Sequence, residues 1–248
     1  MGRVKWIIIW AYGVSAQLDG PTRRMMHHTI GTICSEPRRR DQIGMSESIK
    51  GSLPPMRRRL RENRRLLVVL GCLAVFLVLL NKVMQGEIMR MDQIAYALIV
   101  QKLRTPWLTP VMETLSALAT PVVLIVMLLV IAAFAPGRRP GWCCALNLCL
   151  AALLNVALKA IVQRPRPDES LRLVIEHGFS FPSGHSMAAM AFFGLIVWII
   201  WRYGRNRRQR VLLCTAFSIV IVLIGVSRIY LGVHYASDVL GGFCASLV

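Results

Sequence analysis

The chain has 248 residues, of which 55% are hydrophobic and only 17% charged, a composition that excludes a disordered chain and argues against a water-soluble domain. Thirty lysines and arginines against twelve acidic residues give a net charge of +18, located mostly at the ends of apolar segments. Charges in that position orient membrane helices, so we expect no nucleic-acid partner. Seven cysteines without a CxxC pair argue against a disulfide scaffold or a zinc knuckle.

Apolar segments long enough to cross a bilayer recur along the chain. About 20 residues of helix span a hydrocarbon core of roughly 30 Å. Five segments meet or nearly meet this length, namely Leu66–Met84, Leu115–Ala135, Trp142–Val162, Gly184–Trp201 and Val211–Ser227. A sixth begins near His234, and the ten residues after Asp238 cover about half a bilayer. We therefore expect an all-α, polytopic membrane helix bundle of six spans, with the sixth truncated at the C-terminus.

Positive charge is divided unevenly between the two sides of this bundle. The loops at 56–65, 136–141 and 202–210 carry 13 arginines, whereas the loops at 81–110, 163–183 and 228–233 carry eight lysines and arginines. Loops rich in Lys and Arg stay in the cytoplasm. We therefore expect a multi-pass protein of the cytoplasmic membrane whose loops 163–183 and 228–233 face the extracytoplasmic side.

The first 55 residues contain no long apolar segment and no repeat. We expect residues 1–55 to be a disordered tail, or an extension from a misassigned start codon, because Met56 begins an arginine-rich segment just before the first span. A cleaved signal peptide at 1–16 is disfavoured, since it would place six arginines outside. The membrane domain is expected to comprise residues 56–248.

Charged side chains lie where the third span ends. Lys159 either has a function there or extends to the interface as a snorkelling side chain. Pro165 and Pro167 end the helix, so that Arg166 can turn back over the mouth of the bundle. Spacing alone does not distinguish Arg166 from the neighbouring Arg164.

A helix start with an anion-binding pattern lies at the outer end of the fourth span. Pro182 and Ser183 precede an apolar helix, whose N-terminus presents unpaired N–H groups. Gly184 allows the backbone to approach a ligand, and His185 projects from the first turn. A capping serine beside an interfacial histidine is the alternative interpretation.

The end of the fifth span and the start of the sixth carry a third group of polar residues. Arg228 caps the fifth span, and His234 and Asp238 are four residues apart, which places them on one helix face. An aspartate that accepts from one imidazole nitrogen leaves the other free as a nucleophile. A purely structural pair is the alternative, although ionisable groups at a membrane edge usually have a function.

These three groups share the outer side of the bundle, and together they suit a phosphate group. Cations would neutralise its oxygens, one histidine would attack in line, and the other would protonate the leaving oxygen. The sequence contains no Asp/Glu/His cluster typical of a metal site. We therefore expect neither a metal nor another cofactor.

The chain resembles the type 2 phosphatidic acid phosphatase (lipid phosphate phosphatase) superfamily in a three-part signature: Lys159-x6-Arg166-Pro167, Pro182-Ser183-Gly184-His185 and Ser227-Arg228-x5-His234-x3-Asp238. The resemblance covers roughly residues 66–248 and selects Arg166 over Arg164. It implies a six-helix membrane enzyme that hydrolyses lipid phosphate monoesters or diphosphates without a metal. Phosphatidate, phosphatidylglycerophosphate and undecaprenyl diphosphate are the substrates that it implies for a bacterial member.

The resemblance also implies a role for each signature residue. His234 is the expected nucleophile, which forms a phosphohistidine and is oriented by Asp238, and His185 is the expected general acid. The expected phosphate-binding residues are Lys159, Arg166, Ser183, Gly184 and Arg228. On this assignment we expect Arg164→Ala to be mild compared with Arg166→Ala.

Two other functions are compatible with the same residues. A lipid phosphotransferase would use the same site with an acceptor other than water, and a non-catalytic lipid-binding membrane protein would use it without turnover. The expected partners are the bilayer and a lipid phosphate, and nothing in the sequence indicates an oligomeric state. Residues Gly86–Pro110 are expected to form an interfacial helix that gates lipid entry or simply anchors the chain.

Overall fold

The computed structural model describes residues 63–134 and 139–248, and the expected tail at 1–55 lies outside them. Contacts divide the chain after Leu67, and Val68–Val248 form one compact unit. Every regular element of the described residues is helical, which confirms the all-α prediction. The helices are α1 Arg64–Met84, α2 Arg90–Ala95, α3 Thr109–Ala117, α4 Pro121–Phe134, α5 Arg139–Val162, α6 Gly184–Tyr203, α7 Arg207–Tyr230 and α8 Ala236–Leu247, with a π-helix at Tyr96–Lys102 and a 3-10 turn at Glu169–Leu171.

Within the described residues, α1, α5, α6 and α7 are long and apolar enough to cross a membrane, and α3 with α4 meets the same criterion only as a bent pair. The segment predicted as the second span, Leu115–Ala135, contains a break between Ala117 and Pro121, where α3 and α4 meet at a bend of 53°. Proline lacks an N–H and disfavours helix in the preceding residue, so a new helix begins there. The 12 residues of α8 are fewer than a bilayer requires, and the count of six spans is not confirmed.

The core lies around α6, which packs against α5, α7 and α8. Phe192 and Phe193 of α6 are buried with Ile224 of α7. Gly242 allows α8 to approach α6 closely, because a Cβ there would lie only 2.9 Å from the backbone oxygen of Ser183. The middle of α8 therefore lies directly against the start of α6.

Two asparagines of the apolar helix α5 bond to α6. Asn147 Nδ2 donates to the backbone oxygen of Ala191 at 2.6 Å, and Asn155 Nδ2 donates to that of Pro182 at 3.1 Å. Such bonds satisfy polar groups that would be costly to expose to lipid. They also set the start of α6 at a defined depth beside the end of α5.

The turn between α7 and α8 is tied to two other loops. Gly232 has φ +75°, and a Cβ there would lie 2.2 Å from the backbone oxygen of Leu171, so only glycine fits. Arg104 Nη1 donates to the Leu171 oxygen at 3.0 Å, and Arg104 Nη2 donates to the Tyr230 oxygen at 2.5 Å. These contacts position the turn that carries His234.

The region Gly86–Pro110 contains α2 and the π-helix that continues it. Val100 of the π-helix is buried with Ile229 of α7 and Val239 of α8. This segment therefore packs against the elements that carry the predicted site, and its role in lipid entry stays a prediction.

Candidate active site

The residues predicted to bind phosphate come together where α5 and α7 end and α6 and α8 begin. The backbone N–H of Ser183 donates to the backbone oxygen of Asp238 at 3.1 Å, which joins the starts of α6 and α8. Arg166, in the loop after α5, brings Nη1 to 3.4 Å from Nε2 of His234. Three segments far apart in sequence thus form one polar cluster.

His234 lies in the turn before α8, which corrects the expectation that it shares a helix with Asp238. Its side chain is buried, and Nδ1 lies 3.5 Å from Asp238 Oδ2 and 3.4 Å from Ser180 Oγ. Ser180 donates to the same carboxylate oxygen at 2.5 Å. A carboxylate facing Nδ1 favours a proton on that nitrogen, which leaves the lone pair on Nε2.

Asp238 is held by a buried network that the sequence did not predict. Arg164 Nη1 donates to Asp238 Oδ1 at 2.5 Å and to Ser237 Oγ at 2.7 Å, and Arg164 Nη2 donates to Asp92 Oδ2 at 3.1 Å. Asp92, from α2, also accepts from the backbone N–H of Ser237 at 2.8 Å. The guanidinium of Arg164 lies over the ring of Tyr235, 4.1 Å from its centroid.

Arg164 is therefore a structural cation of the site. Its side chain is 8% exposed and its two carboxylate partners 1% and 0%. Its removal would leave two buried carboxylates without their cation, which is strongly unfavourable. The expectation that Arg164→Ala is mild does not agree with this geometry.

Arg166 and Arg228, the two predicted phosphate-binding arginines, share one carboxylate. Arg228 Nη2 donates to Glu176 Oε1, and Arg166 Nη2 donates to Glu176 Oε2 at 3.4 Å. Arg228 Nη1 donates to Ser116 Oγ of α3 at 2.5 Å. Glu176, in the loop between α5 and α6, belongs to no part of the predicted site.

The other predicted residues lie around this pair. His185, in the first turn of α6, lies within electrostatic range of Arg228, Glu176, His234 and Lys159. Lys159 is half-buried at the end of α5, and its charge interacts with that of Arg166.

Ser183 and Gly184 form the start of α6. Ser183 is fully buried and accepts from Ser186 Oγ at 3.0 Å, so its hydroxyl does not cap the helix. The first intrahelical bond runs from Met187 to Ser183 at 3.0 Å, and the N–H groups before it belong to the open first turn. A Cβ on Gly184 would lie 3.1 Å from Asn155 Oδ1, so this glycine also allows α5 to approach.

A mostly apolar cavity of about 320 Å³ opens beside His234. Its lining includes Tyr96 and Val100 of the π-helix, Ile229 of α7, and Asp168 of the loop after α5. Of the predicted site residues, only His234 lines this cavity. An apolar cavity at that histidine suits the apolar body of a ligand whose charged head lies in the polar cluster.

Burial, together with the charges of Arg228 and Arg166, lowers the pKa of His234 to about 4, against the opposing hydrogen bond and charge of Asp238. His234 is therefore neutral at pH 7. Between about pH 4 and 6.5 the unfolded chain binds a proton at this residue and the folded chain does not. The free energy of unfolding must therefore fall as the pH falls through this range.

We expect the wild-type chain to lose more thermal stability than His234→Gln when the pH is lowered from about 7.5 to about 5. The variant lacks the titrating imidazole and keeps a polar side chain of similar size. Thermal unfolding in detergent at the two pH values measures both losses. Equal losses would contradict a lowered pKa at His234.

Among the described residues, no group of three or more His, Cys, Asp or Glu side chains could hold a metal ion. The charge at the site comes instead from arginine and lysine. The expectation that the reaction needs no metal stays a prediction.

Comparison with known proteins identifies the family of the chain. The PAP2 superfamily profile matches residues 140–248. Phosphatidylglycerophosphatase B of Bacillus subtilis (strain 168) is 34% identical over 178 residues, which cover 70% of this chain and 86% of the relative. Lipid A 1-phosphatase of Rhizobium etli is 35% identical over 101 residues, which cover 37% of this chain and 39% of the relative.

Solved structures show the same similarity. The crystal structure of the transmembrane PAP2-type phosphatidylglycerolphosphate phosphatase from Bacillus subtilis has a TM-score of 0.64 and 31% identity, covering 72% of this chain and 90% of that one. Aquifex aeolicus LpxE has a TM-score of 0.51 and 26% identity, covering 61% and 87%. The chain belongs to the PAP2 superfamily and is a multi-pass membrane protein similar to these membrane phosphatases.

Proposed function

We propose that this chain is an integral-membrane phosphatase that hydrolyses lipid phosphate monoesters or diphosphates through a phosphohistidine on His234. The observation that supports this most is the position of His234 Nε2, 3.4 Å from Arg166 Nη1, while Nδ1 faces Asp238. The lone pair of Nε2 then faces a cation suited to hold a phosphate oxygen.

The reaction takes place in two steps. Arg166, Arg228 and Lys159 neutralise the phosphate oxygens, and His234 Nε2 attacks phosphorus in line. The bond from phosphorus to the lipid oxygen breaks, and His185 gives that oxygen a proton. A water molecule then attacks the phosphohistidine and passes its proton to His185, and the P–N bond breaks to release inorganic phosphate.

The first turn of α6 contributes to holding the phosphate. Its N–H groups at Gly184 and His185 precede the first intrahelical bond and carry the positive end of the helix dipole. Ser183 fixes this turn against α8 through its backbone bond to Asp238.

The substrate is a lipid phosphate presented on the extracytoplasmic side of the cytoplasmic membrane. The loops at 56–65 and 202–210 are rich in arginine and therefore favour the cytoplasmic side, which supports a site on the outer side of the membrane. Among phosphatidylglycerophosphate, phosphatidate and undecaprenyl diphosphate, the name of the Bacillus subtilis relative favours the first. The apolar cavity beside His234 suits the lipid part of any of them.

Phosphate release in detergent, with EDTA present, tests this function. We expect release from at least one of the three lipids, and the rates rank them. No release from any lipid, or release only after a divalent cation is added, would contradict a metal-independent phosphatase. Transfer that requires an added alcohol acceptor would indicate a phosphotransferase instead.

A further inference from the structure

Glu176 holds a position that neither the signature nor the reaction above accounts for. Its two carboxylate oxygens accept from two different arginines, Arg228 through Oε1 and Arg166 through Oε2. Both arginine side chains are 3% exposed, whereas that of Glu176 is 27% exposed. The partly exposed carboxylate of Glu176 therefore bridges two buried arginines, in the position that the oxygens of a bound phosphate would take.

The charge state of Glu176 fits this bridging position. Burial would raise its pKa, but the charge and hydrogen bond of Arg228 and the charges of His185 and Arg166 hold the pKa below its ordinary value. The carboxylate is therefore ionised at pH 7. It offsets part of the positive charge that Arg166, Arg228 and Lys159 concentrate in this cluster.

Arg228 retains a donor that the glutamate does not use. Its Nε is buried and has no hydrogen-bond partner among the described residues, while Nη2 donates to Glu176. Nε–H and one Nη2–H lie on the same edge of a guanidinium, and a phosphate can accept from both at once. A phosphate group at this edge would thus satisfy one more buried donor than the glutamate does.

Arg166 is anchored independently of Glu176. Its Nε donates to the Gly178 oxygen and its Nη2 to the His177 oxygen, both at 3.0 Å, and its Nη1 donates to the Val233 oxygen at 3.2 Å. The contact to Glu176 is longer, at 3.4 Å. Loss of this contact leaves the guanidinium in place, with a donor free for another anion.

The surroundings of Glu176 allow its side chain to leave the arginines. Its neighbours Ile175 and His177 are exposed, Ile175 to 88%. A carboxylate that swings away from this loop segment therefore reaches solvent. Displacement requires the loss of two contacts and no change in the helices.

We infer that Glu176 is an internal competitor for the phosphate site, bound to Arg166 and Arg228 until the substrate phosphate displaces it. It keeps two buried arginines paired between turnovers, and it weakens the binding of phosphate because every phosphate must first replace it. It is thus a specificity-determining residue that favours ligands of higher charge. This inference rests on the proposed function for the identity of the substrate.

The experiment compares the full chain in detergent with two variants. Glu176→Gln keeps the size of the side chain and removes its charge, and Glu169→Gln makes the same change at an 89% exposed glutamate of the same loop. Inorganic phosphate is the probe, and its dissociation constant is obtained from the rise of the thermal unfolding midpoint with phosphate concentration. We expect Glu176→Gln to bind phosphate roughly tenfold more tightly and Glu169→Gln to bind it like wild type.

Turnover provides a second readout. If a lipid is hydrolysed, we expect Glu176→Gln to lower its KM and to lower the inhibition constant of phosphate by a similar factor. Unchanged or weaker phosphate binding by Glu176→Gln would overturn the inference, because a merely structural glutamate gives that result. If this variant does not fold, Glu176→Ser is measured in the same way. Tighter phosphate binding by that variant then supports the inference, and unchanged or weaker binding overturns it.

The phosphate-binding readout separates this inference from the proposed function. If Glu176→Gln binds phosphate more tightly but the wild-type chain hydrolyses none of the lipids, the role of Glu176 as a competitor is supported and the phosphatase function is contradicted. If the wild-type chain hydrolyses a lipid but Glu176→Gln does not bind phosphate more tightly, the phosphatase function is supported and the role of Glu176 as a competitor is overturned.

Discussion

Replacing His234 with alanine is expected to lower phosphate release by roughly a thousandfold or more. The variant lacks the nitrogen proposed to attack phosphorus, and no other described histidine has the same combination of an Nδ1 facing a buried carboxylate and an Nε2 beside an arginine. The rate of phosphate release under saturating lipid phosphate, with EDTA present, measures the loss.

His177→Ala is the matched control for this prediction. His177 is exposed in the loop that carries Glu176, and it contacts Arg166 through its backbone oxygen, which the substitution retains. We expect this variant to keep activity within a few-fold of wild type. Residual turnover in His234→Ala within tenfold of wild type would mean that another group is the nucleophile.

Arg164→Ala is expected to have the largest effect on stability. The substitution leaves the buried carboxylates of Asp92 and Asp238 without their shared cation, which costs about 3–5 kcal/mol in comparable buried pairs. It also removes the cation over the ring of Tyr235. The free energy of unfolding in detergent measures the loss of stability. Phosphate release by the folded fraction measures how far activity depends on the position of Asp238.

Lys82→Ala is the control for Arg164→Ala. Lys82 is paired with Glu87 at 2.7 Å, and both side chains are about half exposed, at 44% and 51%. We expect this substitution to change the free energy of unfolding by less than about 1 kcal/mol. An effect of Arg164→Ala no larger than that of Lys82→Ala would show that the buried network does not hold Asp238.

The long helices and the chemistry of the site could be predicted from local features of the sequence. An uninterrupted apolar segment indicates a span because helix rise and bilayer thickness are both constant. The helix start at Gly184 followed from Pro182 and Ser183, which are residues typical of that position. Pro121 is a residue that interrupts a helix, but the apolar residues on both sides of it led to the prediction of one continuous span.

The electrostatic partners of the site could not be predicted in this way. Asp92 and Glu176 lie in segments without a motif, 72 residues before Arg164 and 52 residues before Arg228 respectively. Ser180 is a small polar residue like many others, and only packing places it between His234 and Asp238. Which cation binds phosphate and which one binds a buried carboxylate is decided by neighbours that are distant in the chain.

The sequence by itself determined the membrane class, the helical architecture and the residue types available for phosphate chemistry, because these depend on hydrophobic length and on fixed short spacings. Only the tertiary structure decided the environment of each charge: Arg164 between two buried aspartates, and Arg166 and Arg228 on either side of Glu176. The reason is physical, since the energy of a buried charge depends on the few atoms within hydrogen-bond distance, and chain folding alone selects those atoms.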